Sequence, residues 1–132
     1  MAEPKAAFYS DIGIGFVAHP ITGNIQRKVD SDAIKQSVKS LVLTNFYERP
    51  FKPDIGSSLR YLLFELFTPA TKQMMENAIG EVIKNYEPRV ELQTVNVKED
   101  PNNNYLESTI IFKIKNRPNE SINLSIILER VR

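Results

Sequence analysis

Met75-Glu76-Asn77-Ala78-Ile79-Gly80-Glu81-Val82-Ile83-Lys84-Asn85-Tyr86-Glu87-Pro88-Arg89-Val90-Glu91-Leu92-Gln93-Thr94 is the stretch that decides the fold of this chain. In its first half Met75, Ala78, Ile79, Val82, Ile83 and Tyr86 recur on one stripe, as a helix of 3.6 residues per turn requires. In its second half Val90, Leu92 and Thr94 alternate with charged or polar neighbours, the period of a strand. Pro88 enforces the change, because the residue before a proline is pushed out of the helical region. Helices are therefore expected upstream of Pro88 and strands downstream.

Upstream, Thr68 is a candidate N-cap and Pro69 occupies a first-turn position whose amide has no helical partner. A shorter helix is expected over residues 57–67, where Leu59, Leu62, Leu63 and Leu66 mark one face. Phe64 and Phe67 widen that face, which predicts a largely buried helix. A further helix should open at Asp30 or Ser31, either of which can accept a bond from a first-turn amide. It carries Ile34, Val38, Leu41 and Val42 at helical spacing and should end near Thr44-Asn45. Residues 1–29 read as an irregular arm, since Gly13, Gly15, Pro20 and Gly23 lie too close together for a long element. Tyr9, Ile12, Ile14, Phe16 and Val17 are apolar enough to pack, either on the chain's own core or on a partner.

Downstream, Val95 and Val97 fall out of phase with Val90 and Leu92, which predicts a bulge or a strand buried on both faces. Residues 99–104 form a turn, and a strand over 106–115 sets Ile110, Phe112 and Ile114 on one face. Asn116-Arg117-Pro118-Asn119 turns the chain again, and Ile122, Leu124, Ile126 and Leu128 alternate almost to the end. The expected fold is α+β: three helices packed on one face of a small antiparallel sheet of about three strands. Residues 30–132 would form this single domain behind the arm.

The composition excludes several classes of function. With no cysteine, thiolate metal sites, disulfide frameworks and cysteine nucleophiles are impossible, and a reducing compartment is the expected setting. The single histidine, His19, leaves no second imidazole for a histidine-rich metal site, and no cofactor is expected. Seventeen basic against sixteen acidic residues leave a net charge of +1, too weak a field to attract DNA or anionic lipid, so direct nucleic-acid binding is not expected. The densest apolar run, residues 61–67, is interrupted by Glu65 and is far short of the roughly 20 residues of a membrane span, so no membrane insertion is expected. No apolar segment follows Met1-Ala2-Glu3-Pro4-Lys5, so no secretion signal is expected. Phosphate-loop, zinc-protease and serine-hydrolase motifs are missing, and among the acids only Glu65, set among Leu62, Leu63, Leu66 and Phe67, invites a catalytic reading.

Three constellations remain. Glu87 and Arg89, two apart in an extended run, point the same way and present an acid beside a base on a corner stiffened by Pro88. They suit a partner with the complementary pair, or are two solvated charges at a helix stop. Glu48-Arg49-Pro50-Phe51-Lys52-Pro53-Asp54-Ile55-Gly56 is a loop stiffened by two prolines, with Phe51 and Ile55 able to pin it to the core, and is either a connector or a binding loop. The last strand, carrying Ile122, Leu124, Ile126 and Leu128, leaves a sheet edge that Arg130 and Arg132 protect or that accepts a strand from another chain.

Ser10-Asp11-Ile12, Ala33-Ile34-Lys35-Gln36-Ser37, Glu48-Arg49-Pro50-Phe51 with Gly56, Leu63-Phe64-Glu65 and Asn85-Tyr86-Glu87-Pro88-Arg89, in that order, resemble one family. It is the baseplate wedge and sheath-initiator family of contractile phage tails, whose relatives include the type VI secretion baseplate subunit. One departure is Tyr47, which stands where a glycine is expected before Glu48-Arg49-Pro50. The resemblance implies a structural, non-enzymatic subunit of the virion's tail baseplate, assembled in the host cytoplasm. It implies that Glu87, Pro88 and Arg89 contact the core bundle of the main wedge proteins. It also implies that the sheet edge, with residues 122–128 and the terminal arginines, initiates the tail sheath by β-strand addition, with tube-proximal baseplate proteins as further neighbours. Some members carry a lysozyme-like label, which makes a peptidoglycan-degrading tail lysozyme the alternative. Nothing in these residues supports a hydrolase.

Overall fold

The structure, a computed structural model, describes residues 9–129. The arm is more regular than its glycines and proline suggest. β1 (Ser10–Ile12) pairs antiparallel with β2 (Arg27–Val29), Ser10 facing Val29 and Ile12 facing Arg27. Beyond them Gln26 donates its N–H to the Val17 carbonyl at 2.9 Å and Ala18 bridges Ile25, so the close-set glycines belong to the two legs of one hairpin. At its tip His19 Nδ1 accepts the N–H groups of Ile21 and Thr22, and Gly23 takes φ 69°.

α1 (Asp30–Leu43) follows directly, with Ala33, Ile34, Val38, Leu41 and Val42 buried. The expected side-chain cap is not made: Val29 is the N-cap, and Asp30 already belongs to the helix, with φ 48°. Its carboxylate turns outward, accepting the Tyr9 N–H at 3.3 Å and the Arg117 guanidinium at 2.9 Å. Asp30 thereby fastens the arm and the last strand to the start of α1.

α2 (Leu59–Leu62) is four residues long, shorter than the leucine pattern implies. Two turn bonds, from Phe64 N–H to Tyr61 and from Glu65 N–H to Leu62, close it off, and Tyr61, Phe64 and Leu66 are exposed while Leu59 and Leu63 enter the core. α3 (Pro69–Tyr86) is capped as expected, Thr68 Oγ1 accepting the Thr71 N–H at 3.2 Å with Pro69 in the first turn. Met75, Ile79, Val82 and Ile83 are its buried face.

β3 (Val90–Asp100), β4 (Tyr105–Ile114) and β5 (Arg117–Glu129) form an antiparallel meander in that order. The register of β3 on β4 slips between Leu92 and Thr94, the bulge foreshadowed by the out-of-phase valines. The turn before β5 is only Lys115-Asn116. Ile114 faces Arg117 and Lys113 faces Ser121, so Pro118, Asn119 and Glu120 are extruded from the ladder where turn chemistry had suggested a longer loop. A proline without an N–H is tolerated at such a bulge on an edge strand.

Buried residues of all three helices and all three strands of the meander join one cluster, with Phe112, Ile34, Ile79, Ile83, Ile110 and Ile126 almost fully enclosed. The arm contributes little to it. Tyr9 packs against the cluster, but Ile12, Ile14, Phe16 and Val17 remain exposed, Phe16 by 70%. Polar bonds hold the hairpin instead: Gln36 Nε2 donates to the Ile12 carbonyl at 2.8 Å and Gln36 Oε1 accepts the Ile14 N–H at 3.3 Å.

Candidate functional site

Where α3 ends, the Glu87 N–H still reaches the Ile83 carbonyl, and Pro88 then breaks the helix. The corner so formed is not a display of two solvated charges. Glu87 is only 3% exposed, and its carboxylate accepts from Arg89 Nε at 2.6 Å, Arg89 Nη2 at 2.9 Å and Ser37 Oγ at 2.5 Å. Arg89 spends two of its five N–H donors on this fork, lies 5.3 Å above the Tyr9 ring, and keeps 32% of its side chain exposed. Pro88 is exposed beside it. The extended run expected of residues 87–89 is a turn at Pro88-Arg89, and the two side chains meet across it and satisfy each other first.

Electrostatics agree with the geometry. Burial pushes the Glu87 carboxyl up, yet the hydrogen bonds from Arg89 and Ser37, with the Arg89 charge, outweigh it and hold its pKa below the ordinary glutamate value. The same bonds push Arg89 up. Ser37 and Tyr9 are the partners that sequence reasoning missed. The available signal for Ser37 was a hydroxyl set between Ile34, Val38 and Leu41 on the buried side of its helix.

The loop before α2 behaves differently. Its ends are drawn together by a bridge between Asn45 and Ser57, and Gly56 crosses that backbone at φ 152°. A Cβ there would stand 2.6 Å from the Asn45 carbonyl carbon. Tyr47, in the place of the expected glycine, adopts φ 68°, a left-handed conformation that costs an L-residue about 1–2 kcal/mol. Glu48 folds back on Asn45, accepting its N–H at 3.2 Å and its side-chain amide at 2.7 Å, which lowers the Glu48 pKa. Ile55 packs against the core as expected. Phe51 does not: it is 98% exposed, because the turns around Pro50 and Pro53 carry it outward. Pro50 and Arg49 are exposed too, and Arg49 has no hydrogen bond or ion pair among the described residues.

The loop borders an open cleft of about 670 Å³, lined by Ile12 and Phe16 of the arm, Ser37 of α1, Arg49 and Lys52 of the loop, and Tyr86 of α3, with none of residues 87–89 in its lining. The hydroxyl that anchors Glu87 therefore borders the same space as the unpaired Arg49.

The sheet has two edges, and they differ. On β3 the Val97 N–H points away from β4 and is accepted by Glu76 Oε1 of α3 at 3.1 Å. With the bulge at Leu92, this interrupts the β3 edge at two places. Because residues in an antiparallel ladder alternate, an outward Val97 turns its partner Ser108 toward β5, and Ser108 faces Ile126. The outward amides of β5 then belong to Asn123, Ser125 and Ile127. Among the described residues no side chain caps them. Ile122, Ile126 and Leu128 are buried on the other register, and Leu124 is partly buried. Arg130 and Arg132, the expected guards, lie outside the described residues.

A glycosidase acid needs a raised pKa, whereas the three clearly displaced carboxyls, Glu48, Glu87 and Asp100, all move down. Glu65 is exposed, not embedded as its apolar neighbours suggested. Among the described residues no three histidine or acidic side chains are grouped to hold a metal ion, and no helix is long and apolar enough to cross a membrane.

Comparison with known proteins is consistent across sequence and structure. Residues 28–119 match the family model described as baseplate wedge protein gp25, a span that includes the 48–51 loop and the 87–89 corner but stops short of residues 122–128. The baseplate wedge protein gp25 of Enterobacteria phage T4 is 36% identical over 74 residues, which cover 56% of this chain and 56% of that protein, so the chain spans about half the length of this relative. A Geobacter sulfurreducens protein that carries a tail-lysozyme name shares the fold with a TM-score of 0.69 at 24% identity, over 75% of this chain and 89% of that one. A chain of the anti-feeding prophage baseplate superimposes with a TM-score of 0.63 at 20% identity, over 94% and 87% of the two chains. A chain of the postcontracted pyocin R2 baseplate does so with 0.53 at 19% identity, over 88% and 97%.

Proposed function

The chain belongs to the family of baseplate wedge protein gp25, and from that premise we propose that it is a non-enzymatic subunit of a contractile-tail baseplate that joins the wedge to the sheath. Its wedge end is the Glu87-Pro88-Arg89 corner, which docks on the core bundle of the main wedge proteins. Its sheath end is β5, whose outward amides accept the first added sheath strand. Tube-proximal baseplate proteins are further candidate neighbours, and the site of action is the virion's tail baseplate after assembly in the host cytoplasm.

The observation that carries this reading is the division of labour at the corner. Glu87 is buried and bonded from two sides, so it fixes the guanidinium plane; Arg89 keeps three N–H donors for an acceptor on a partner. A charged fork held rigid before docking loses little conformational entropy on binding and gives directional bonds. Exposed Pro88 adds a fixed apolar contact beside it. Strand addition at β5 relies on main-chain bonds, which suits a partner recognised by backbone more than by side chain.

The alternative, a peptidoglycan-degrading tail lysozyme, draws on the name of the Geobacter sulfurreducens neighbour, which at 24% identity bears on the fold alone. The downward-shifted carboxyls count against it.

The test uses tagged protein captured from cells that make the complete contractile structure, wild type beside Arg89→Lys, with proteins identified by mass spectrometry. Lysine keeps the charge beside Glu87 but not the two-pronged geometry. Loss of the large wedge proteins from the variant, with a melting temperature that is lowered but still well above the capture temperature, is the expected result. Equal capture by both proteins would remove the corner from the docking surface.

A further inference from the structure

β5 is bordered on its helix side by a second cleft, of about 540 Å³, between the arm, α1 and the sheet edge. Its apolar lining is Ile14, Leu43 and Leu124; its charged lining is Lys28, Lys35, Lys39 and one acid, Asp32. Lys35 and Lys39 are one turn apart on α1 and Lys28 stands on β2, so the three converge on the cleft from two elements. None of the three has an ion pair or hydrogen bond among the described residues. A nearly neutral chain thus concentrates two positive charges, uncompensated among the described residues, beside a sheet edge whose outward amides no described side chain caps.

We infer that the strand accepted by β5 is an acidic one, its carboxylates read by Lys28, Lys35 and Lys39 while alternate apolar side chains reach Leu43 and Leu124. The inference rests on the strand-addition reading and adds the chemistry of the partner to it. Geometry supplies the link. Residues 122, 124, 126 and 128 face the core, and a strand laid outside β5 continues the same pleat, so every second side chain of the newcomer faces α1. Those side chains enter a space with an apolar floor and a lysine rim. Main-chain bonding alone accepts any extended segment; the lysines add a requirement for acids and a cost for basic strands, and opposite charge also speeds encounter. On the β3 edge Glu76 of α3 already occupies the Val97 amide, so an added strand would have to displace it.

The experiment compares particles purified from cells that make the complete structure, scored by electron microscopy for the fraction of baseplates that carry sheath. Three variants are used: Asn123→Pro, which removes an outward amide of β5 without removing a bond to β4; Lys35→Glu with Lys39→Glu; and Lys35→Arg with Lys39→Arg. Melting temperatures of the isolated variants establish that each is folded. The expected result is at least a tenfold loss of sheathed baseplates for the proline and for the glutamate pair, and wild-type sheathing for the arginine pair. If the proline blocks sheathing while the glutamate pair sheaths normally, strand addition stands and the acidic-partner inference is overturned. If the folded proline variant sheaths normally, strand addition at β5 falls and the inference with it.

Discussion

Glu48-Arg49-Pro50 and Glu87-Pro88-Arg89 contain the same three residue types, yet the chain uses them in opposite ways. In the second, proline separates acid from base, the chain turns at Pro88-Arg89, and the pair closes on itself above Ser37. In the first, acid and base are adjacent and diverge: Glu48 turns back to Asn45, and Arg49 is left without a partner among the described residues. One triplet is preorganised around a buried carboxylate; the other is an exposed arginine on a loop whose backbone is bent by Tyr47 and Gly56. The order of the residues, more than their identity, decides which charge is structural and which is available to a partner.

The comparison is broken most severely by Glu87→Ala. It leaves Arg89 and Ser37 without their acceptor in a site that excludes most water. Losing one partner of a fully buried pair costs about 3–5 kcal/mol; with Arg89 32% exposed the expected loss is about 2–4 kcal/mol, read as a lower denaturation midpoint. On the loop side the largest effect comes from Gly56→Ala. The new methyl would meet the Asn45 and Phe46 backbone at 2.6–2.8 Å in a conformation suited to glycine, and a loss of roughly 1–3 kcal/mol is expected by the same measurement.

The two triplets were not equally legible. The switch of period at Pro88 is visible from local pattern, as is the bulge announced by Val95 and Val97, because both follow from steric rules acting on neighbours. The fate of Glu87 is not, since its decisive partner, Ser37, lies 50 residues away and only tertiary packing brings it near. Long-range pairing also explains the arm, whose glycines look like breaks until residues 10–12 meet 27–29. The last strand starts earlier than turn chemistry implied because a bulge absorbs Pro118. The second helix was overextended because a leucine stripe reports apolar spacing and not length. Tyr47 is the reverse case: it stands where the family resemblance leads one to expect glycine, and it adopts φ 68°, a conformation that glycine takes freely.

Acid sharpens the contrast further. The Glu87 pKa is lowered on folding, so its contribution to stability is fully present above the ordinary glutamate value of 4.5 and is lost as pH falls through the lowered folded value. Glu87→Gln keeps the shape but not the charge. Wild type should exceed this variant in stability at neutral pH, and the gap should close progressively below pH 4.5 in paired denaturation curves. A constant gap across that range would mean that the carboxylate charge is not what holds the corner.

Smaller effects test the loop from the other direction. Tyr47→Gly removes left-handed strain of about 1–2 kcal/mol but adds freedom to the unfolded chain, so a net gain of about 0.5–1 kcal/mol in stability is expected. Tyr47→Ala keeps the strain and should gain nothing, which separates relief of the backbone from removal of an exposed ring.

Arg49→Ala should change stability least of all. An exposed arginine with no partner among the described residues contributes within about 0.5 kcal/mol, while its neighbour Phe51 stands almost wholly in solvent and Ile12 and Phe16 line the cleft that Arg49 borders. If the loop were only a connector, capture of baseplate proteins by Arg49→Ala would match wild type. If the cleft is part of the docking surface, capture should fall while the denaturation curve stays in place, and Arg49→Glu should lower it further by setting a like charge against an acidic partner. That outcome would make the two triplets complementary parts of one interface: Arg89 fixed in advance by Glu87, and Arg49 left free to find its acid only in the assembly.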